Sequence, residues 1–394
     1  MTITVLGYDG SPLPAPARGA LAGASLVVGG RRHLDAVPVP ASARTVVMGD
    51  VRDAVAALAA HDGPAVVVAS GDPGFFGIVR RLRAAGLSFE VIPAVSAVAA
   101  AFARAGVEWD DAVVLSGHGR DPRHSKNALR ACRRAAVLTG PGFGPAEVAA
   151  AVRDLDRRLV VAECLGEPDE TVTAVDPADA AKRNWRDPNV VLVLDDAPPA
   201  PAGWLVGAPP TPNRWALDED AFAHRDSMIT KAEVRAVALA HLGPRLGDLV
   251  WDVGSGSGSV AVECARFGAA VIAVERSADG AARIAENART HDVDVQVVHG
   301  EAPAALAELP DPDAVFVGGG GPEVVAECAR RALRSVVVTL AAVDRVPATR
   351  RALADAGLAT GGVLLQASRL VPLPGDSTRL AATNPVFVLW GERQ

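Results

Sequence analysis

The chain has 394 residues, enough for two domains that each bury a core, and its 46 acidic against 39 basic residues (net charge −7) argue against generic nucleic-acid binding while leaving room for a local basic pocket. Hydrophobic residues make up 49% but aromatics only 4%, so the cores must be built from Ala, Val and Leu, a composition suited to buried parallel strands under small-residue helices. Cys132, Cys164, Cys264 and Cys328 show neither CxxC nor His-linked spacing, and no apolar run reaches membrane-spanning length, so we expect no metal centre, no disulfide framework, no membrane association and a cytoplasmic location.

The first half reads as two α/β units. A strand over 2–6 ends in Gly7, Tyr8, Asp9 and Gly10, and a small Ala-rich helix over 15–24 leads to a strand over 26–28. Gly29 to His33 then sets Arg31, Arg32 and His33 beside flexible backbone, as a solvated turn or an anion-contacting loop. A helix over 51–60 precedes the apolar strand 65–69, which runs into Ser70, Gly71, Asp72, Pro73 and Gly74 before the helical run 78–85. This is the form of a βα loop at an active site, although Asp72 also suits the cap of the following helix. The strand 89–92 is followed by Pro93 and Ser96 and by a small-residue helix over 97–105. After the strand 112–115 comes the densest basic cluster of the half: His118, Arg120, Arg123, His124 and Lys126. Strands over 135–138, 159–162 and 190–194 follow, the first ending in Thr139.

Pro198, Pro199, Pro201, Pro209, Pro210 and Pro212 fall within 15 residues and oppose regular structure. We therefore place a linker over 198–216, between a domain at 1–197 (lobes about 1–115 and 116–197) and one at 217–394.

In the second half, Thr230 precedes a helix over 232–242 and with Glu233 forms a capping-box pattern, which leaves Lys231 free for substrate. The strand 249–253 then breaks into Gly254, Gly256 and Gly258 ahead of a helix over 260–266, and the next strand, 270–274, ends in Glu275, 17 residues beyond Gly258. Glycines let backbone approach a ligand and the helix start offers unpaired N–H groups, while an acid at the end of the second strand can accept from both ribose hydroxyls of an adenosine. NAD and S-adenosylmethionine (SAM) both satisfy that pattern. Asp252, two residues before the first glycine, favours SAM, because a pyrophosphate prefers no nearby negative charge. A helix over 278–290, a strand over 295–298 leading to Glu301, and a strand over 314–317 opening into Gly318 to Gly321 continue the alternation. Strands over 335–340, 361–367 and 386–390 complete about seven, the last two as an antiparallel hairpin.

Taken together, GYDG at 7–10, VGGRRHL at 28–34, ASGDPGFFG at 69–77, PAVSAV at 93–98, LSGHGRD at 115–121 and ECLGEPDE at 163–170 resemble the tetrapyrrole methylases. MITKAEVRA at 228–236, WDVGSGSGSVAVE at 251–263, AVER at 273–276 and FVGGGG at 316–321 resemble the decarboxylating corrin methyltransferases. In this order the motifs resemble the bifunctional C5,15-methyltransferases (decarboxylating) of cobalamin biosynthesis over essentially the whole chain.

That resemblance implies an α/β protein in which a two-lobed tetrapyrrole-methylase fold is joined to a seven-stranded Rossmann-like SAM methyltransferase fold. It implies Gly7, Gly71, Asp72, Pro73, Gly74, Pro93, Ser96 and Thr139 at one cofactor cleft, and Asp252, Gly254, Gly256, Gly258, Glu275 and Glu301 at the other. The family often has Asp where this chain has Glu301. Candidates for contact with a multiply carboxylated macrocycle are Arg31, Arg32, His118, Arg120 and Lys126 in the first half, and Arg225, Lys231, Gly319 and Gly320 in the second. Asp72, Thr230 and Lys231 are the candidates for a catalytic role. The implied reaction takes precorrin-6B and two SAM to precorrin-8X, two S-adenosylhomocysteine and carbon dioxide. Implied partners are the anionic tetrapyrrole, further copies of the chain in a homo-oligomer, and neighbouring cobalamin-pathway enzymes in transient contact. A cobalt-precorrin substrate, an NAD(P)-dependent oxidoreductase and a non-catalytic SAM sensor are the competing readings.

Overall fold

The computed structural model describes residues 2–119, 121–195, 212–225 and 229–393. Arg120 and most of the expected 198–216 linker lie outside the described residues. The chain forms two compact units, one of residues 1–120 and 134–207, the other of residues 121–133 and 208–394.

The first unit holds two five-stranded sheets. In the first, β1 (Ile3–Tyr8), β2 (Leu26–Gly29), β3 (Arg44–Val47), β4 (Ala65–Ser70) and β5 (Phe89–Ile92) run parallel in the order β3-β2-β4-β1-β5. Both faces are covered, by cores around Leu58 and Leu82 on one side and Leu21 and Val37 on the other. This is why β2 and β4 read as continuous apolar runs rather than alternating ones. The second sheet comprises β6 (Val113–Ser116), β7 (Arg134–Leu138), β8 (Arg158–Glu163), β9 (Thr171–Val175) and β10 (Asn189–Leu194) in the order β6-β7-β10-β8-β9. Only β6 and β7 are parallel; the other pairs are antiparallel.

The second unit is built on β11 (Leu249–Val253), β12 (Ala270–Glu275), β13 (Gln296–His299), β14 (Ala314–Val317), β15 (Ser335–Leu340), β16 (Ala359–Leu365) and β19 (Val386–Glu392), in the order β13-β12-β11-β14-β15-β19-β16. All neighbours are parallel except β19, which runs antiparallel to both β15 and β16. A separate ribbon of β17 (Ser368–Leu373) and β18 (Ser377–Ala382) stands between β16 and β19 in sequence. Helices 232–242, 259–266 and 278–290 pack on one face through Leu239, Val260 and Ile284, and helices 322–331 and 346–355 pack on the other through Val325 and Leu353. Strand order reverses between β11 and β14, which opens a crevice at their carboxyl ends.

Three differences from the sequence reading have physical causes. β3 and β9 lie at sheet edges and carry few of the buried side chains that mark the central strands. The basic stretch after β6 forms a helix, Arg123–Ala131, belonging to the second unit; its buried positions are Asn127, Ala128 and Leu129, too few for an apolar period to be seen. The Thr230 capping box does not form: Lys231 is the N-cap residue, without a side-chain cap bond, and the Glu233 carboxylate is bound instead by Arg369, at 2.8 and 2.6 Å. Among the described residues no helix is long and apolar enough to cross a membrane.

Candidate active site

In the second unit β11 delivers Asp252 and the glycine turn to the crevice. Gly254, Gly256 and Gly258 all have positive φ, at +70°, +61° and +75°. A Cβ on Gly254 would stand 2.8 Å from the Gly319 nitrogen, so the turn packs backbone to backbone against the loop that follows β14. Glu275, at the end of β12, accepts the Gly256 N–H at 2.9 Å and the Ser277 N–H at 2.9 Å, one on each oxygen. Each carboxylate oxygen retains a second lone pair for a ligand hydroxyl.

Asp252 is 1% exposed. Its Oδ2 accepts from the Ser255 hydroxyl at 2.7 Å and the Ala261 N–H at 2.9 Å, whereas Oδ1 is buried without a partner among the described residues. Burial pushes this carboxyl up to about 6; the Ser255 and Ala261 hydrogen bonds pull the other way, and the charge of Glu275 adds to the rise. The Asp252 oxygen without a partner and the open space around Gly256, where a Cβ would meet nothing within 4 Å, fit a cationic, hydroxyl-bearing cofactor such as SAM. Glu301 stands exposed near Arg276, 3.9 Å from its guanidinium.

Beyond the turn, a groove of about 200 Å³ is lined by Gly318 to Gly321, Val325, Val338 to Ala342 and Arg345. Gly319 and Gly320 therefore border open space next to the turn. Thr230 and Lys231 are held from below by a buried ion pair: Arg235 and Glu263 are both 0% exposed and 3.2 Å apart, and Arg235 donates to the Thr230 carbonyl at 2.5 Å. Arg369 adds a second anchor, bonding Glu219 at 2.6 and 2.9 Å, while Glu219 accepts the Ala232 N–H at 2.8 Å. The charge of Lys231 faces Glu219. Arg225 is exposed.

In the first unit the carboxyl ends of β1, β4 and β5 bring Gly7, Gly71 and the 93–96 loop together. A Cβ on Gly7 would come within 2.3 Å of the Gly71 carbonyl and 2.6 Å of the Ala94 nitrogen, so only glycine allows the approach. Asp9 reaches across to accept the Val95 N–H at 3.1 Å and the Ser11 N–H at 3.0 Å. Burial works against its ionisation, but those N–H bonds outweigh it and hold the carboxyl below the usual range. A cleft of about 330 Å³ lies between Gly7 to Pro14 and Pro93 to Val95. Asp72 accepts the Gly74 N–H at 2.8 Å and shapes the turn with Pro73; it does not cap the following helix, whose N-cap is Ile78. Ser96 caps the 97–105 helix by accepting the Ala99 N–H at 3.2 Å.

Thr139 follows the end of β7 in the second sheet, and its buried hydroxyl donates to the Asn189 carbonyl at 2.7 Å. Arg31 and Arg32 occupy the first turn of a short helix, 31–36, rather than a loop. Arg32 is committed to Glu167 at 3.0 Å and to the Ser70 hydroxyl at 2.7 Å, and Ser70 in turn lies 3.0 Å from His33 Nε2. Burial, reinforced by the Arg32 charge, brings His33 down to about 4, so it is neutral at pH 7. His118 is exposed, and Lys126 is half-buried on the 123–131 helix, in the second unit. Arg120 lies outside the described residues.

Sequence reasoning missed Asp9, Arg369 and Arg345 as parts of these sites. Asp9 carried a local signal, an acid immediately after a strand and between glycines. The other two carried none: the acids that Arg369 bonds lie 136 and 150 residues away, and Arg345 is marked only by its place on the groove.

The family model described as tetrapyrrole (corrin/porphyrin) methylases matches residues 10–181, and the one described as a precorrin methyltransferase domain matches residues 220–390. A precorrin-6Y C(5,15)-methyltransferase [decarboxylating] of Sinorhizobium sp is 38% identical over 85% of this chain and 82% of its own length. A chain of Pyrobaculum calidifontis, described as a "probable cobalt-precorrin-6B C(15)-methyltransferase (decarboxylating)", is 36% identical over 41% of this chain and 87% of its own length. A cobalt-precorrin-7 C(5)-methyltransferase of Salmonella typhimurium is 34% identical over 50% of this chain and 99% of its own length. With two glycine-turn clefts each set in its own unit, and with similarity to one relative running through both, the chain belongs to the family of decarboxylating precorrin-6Y C5,15-methyltransferases.

Proposed function

We propose that this chain catalyses two C-methylations and one decarboxylation of a precorrin in cobalamin biosynthesis, taking precorrin-6B and two SAM to precorrin-8X, two S-adenosylhomocysteine and carbon dioxide. The observation that carries this reading is the presence of two unlike glycine-turn clefts on one chain, each at the carboxyl ends of parallel strands. We assign C5 methylation to the first unit, and C15 methylation with loss of the C12 acetate carboxylate to the second. Relatives about half as long, named for C5 or for C15 alone, support that division.

Bound SAM supplies an electrophilic methyl group on a sulfonium. The protein's part is alignment and exclusion of water, because the electron-rich macrocycle itself provides the carbon nucleophile. In the second unit Glu275 would receive the ribose hydroxyls and Asp252, whose Oδ1 has no partner among the described residues, would offset the cofactor's positive charge, while Gly254 lets the turn close on the Gly319 loop. Leu340, Ala341 and Ala342 give the groove beyond them accessible apolar surface against which a conjugated ring edge would shed water. In the first unit Gly7, Gly71 and Pro93 to Val95 shape the corresponding cleft, with Asp9 fixing the Val95 loop.

Purified protein supplied with precorrin-6B and methyl-labelled SAM should give, by mass analysis, a product with two added labelled methyl groups and one carbon dioxide lost. One added methyl without decarboxylation would remove the assignment to the second unit. Turnover of the cobalt-containing intermediate alone would replace the metal-free substrate with the cobalt form.

A further inference from the structure

We infer that Arg345 is the substrate-carboxylate receptor of the second unit, a positioning residue that holds a side-chain carboxylate of the macrocycle in the groove beside the glycine turn. The inference rests on the reading of that unit as the decarboxylating methyltransferase.

The groove is walled by Val317, Val325, Val338 and Leu340 and floored by the backbone of Gly318 to Gly321. It adjoins the cofactor turn directly, since Gly254 and Gly319 are in backbone contact. Arg345 stands on its rim at the start of the 346–355 helix, as the only basic side chain among the described residues lining the groove. Its side chain's one hydrogen bond is a long one, 3.3 Å from Nη1 to the Gly320 carbonyl, and it makes no ion pair among the described residues.

Four other arginines of this unit are already paired, and none of the others lines the groove among the described residues. Arg235, Arg331, Arg334 and Arg369 are each bound to an acid of the same unit. Arg345 is exposed, keeps most of its donors unused, and faces an apolar groove whose neighbouring Val343 is 62% exposed. An exposed apolar side chain beside a guanidinium without an acid partner matches a ligand that is flat and apolar at its centre and anionic at its rim. A guanidinium binds a carboxylate through two parallel N–H bonds, which fixes orientation as well as position.

The carboxylate so held is one that the product retains. Decarboxylation converts a carboxylate into carbon dioxide and leaves its bonding electron pair on the macrocycle. An ion pair to the departing carboxylate would stabilise the starting state and slow that step. Arg345 therefore acts through position, and its removal should be felt in substrate affinity before turnover.

The test is carbon dioxide release by the full chain at varied precorrin-6B and saturating SAM, for wild type and for Arg345→Ala and Arg345→Lys. We expect Arg345→Ala to raise KM for the macrocycle at least tenfold with a smaller change in kcat, Arg345→Lys to recover part of the loss, and C5 methylation by the same preparations to stay unchanged. An unchanged KM in Arg345→Ala with active wild type would overturn the inference alone, as would equal weakening of SAM binding. Wild type that methylates C5 but releases no carbon dioxide would overturn the functional reading of this unit, and the inference with it.

Discussion

Glu275 holds the glycine turn in place from the neighbouring strand: its Oε2 accepts the Gly256 N–H at 2.9 Å while Oε1 accepts the N–H of Ser277 at 2.9 Å. The residue proposed to receive the cofactor ribose thus also shapes the glycine turn. Glu275→Ala should remove both functions. A hydrogen bond to a charged group contributes about 1.5–3 kcal/mol, so SAM binding at this site should weaken at least tenfold. Calorimetric titration of the full chain would report this as loss of one of two binding events, with the site in the first unit unaltered; two intact events would exclude Glu275 from the cofactor site.

Asp252 places ligand binding and stability in opposition. Its carboxyl is raised from 3.8 to about 6 in the folded state. The fold therefore favours the protonated form, and this contribution to stability is complete below pH 3.8 and lost as pH rises through about 6. Above that pH the ionised, buried carboxylate costs roughly 3 kcal/mol. Asp252→Asn keeps an acceptor for Ser255 and Ala261 without the charge. Cofactor-free Asp252→Asn should melt higher than wild type at pH 7.5, and the difference should vanish near pH 4. On the proposed role of Asp252 the same variant should bind SAM more weakly, because a negative charge at the cofactor turn is gone. A pH-independent difference in melting temperature would show that Asp252 is not the titrating group.

How far the second site could be read from sequence depended on whether its parts were local. Asp252, the three glycines and Glu275 lie within two strands and one turn, and a βαβ unit imposes that spacing on any chain that folds so. The parallel strands were legible because both of their faces are buried. Thr230 and Glu233 showed a local pattern too, but a charge-assisted fork from Arg369, 136 residues away, took the Glu233 carboxylate and left the neutral cap unmade. Arg345 could not be found by periodicity, since what marks it is its place on the groove beside the glycine turn, which only the three-dimensional fold sets. The 123–131 helix went unread for a related reason: Leu129 is its one large apolar buried side chain, and its partners are backbone and acids of distant segments.

Gly254 is constrained twice, by a φ of +70° and by the backbone of Gly319. A Cβ there would sit 2.8 Å from a main-chain nitrogen, which cannot swing aside as a flexible side chain would. Gly254→Ala should cost about 1–3 kcal/mol and displace the turn from its neighbour. We expect lower stability together with loss of SAM binding in the second unit. By contrast Gly256→Ala, with open space at its Cβ, should affect binding more than packing. Comparing the two melting curves tests this directly, and equal stability losses would contradict it.

Arg369 bonds Glu219 and Glu233 together, and brings the Glu219 carboxyl down to about 2. An acid depressed from 4.5 to about 2 gives stability that is present above pH 4.5 and lost as pH falls through about 2. Arg369→Ala leaves two carboxylates facing each other and should destabilise the second unit by on the order of 2 kcal/mol at pH 7. The deficit should shrink as pH falls from 4.5 through about 2, where Glu219 takes up its proton in the wild type as well. Thermal melts across that range decide the matter; a deficit that stays constant would mean Arg369 acts through its aliphatic packing.

Arg123 reaches Asp313 at 2.8 Å, and Asp313, 6% exposed, also accepts the Leu249 N–H at 2.8 Å at the start of β11. On the same helix His124 Nδ1 and Asn127 Nδ2 donate to the Gly247 carbonyl at 2.9 and 3.0 Å. Residues 121–133 thus close the amino ends of β11 and β14, opposite the crevice that carries the glycine turn. Removing the guanidinium leaves a buried carboxylate with one N–H partner, whereas removing the charge from both residues leaves none unpaired. Arg123→Ala should therefore cost about 2 kcal/mol, and Arg123→Ala with Asp313→Asn should cost less than the two single changes added together. Hydrogen exchange at the β11 amides of the full chain isolates this unit from the other. Strictly additive losses would show that the ion pair contributes nothing beyond the separate contacts of its two members.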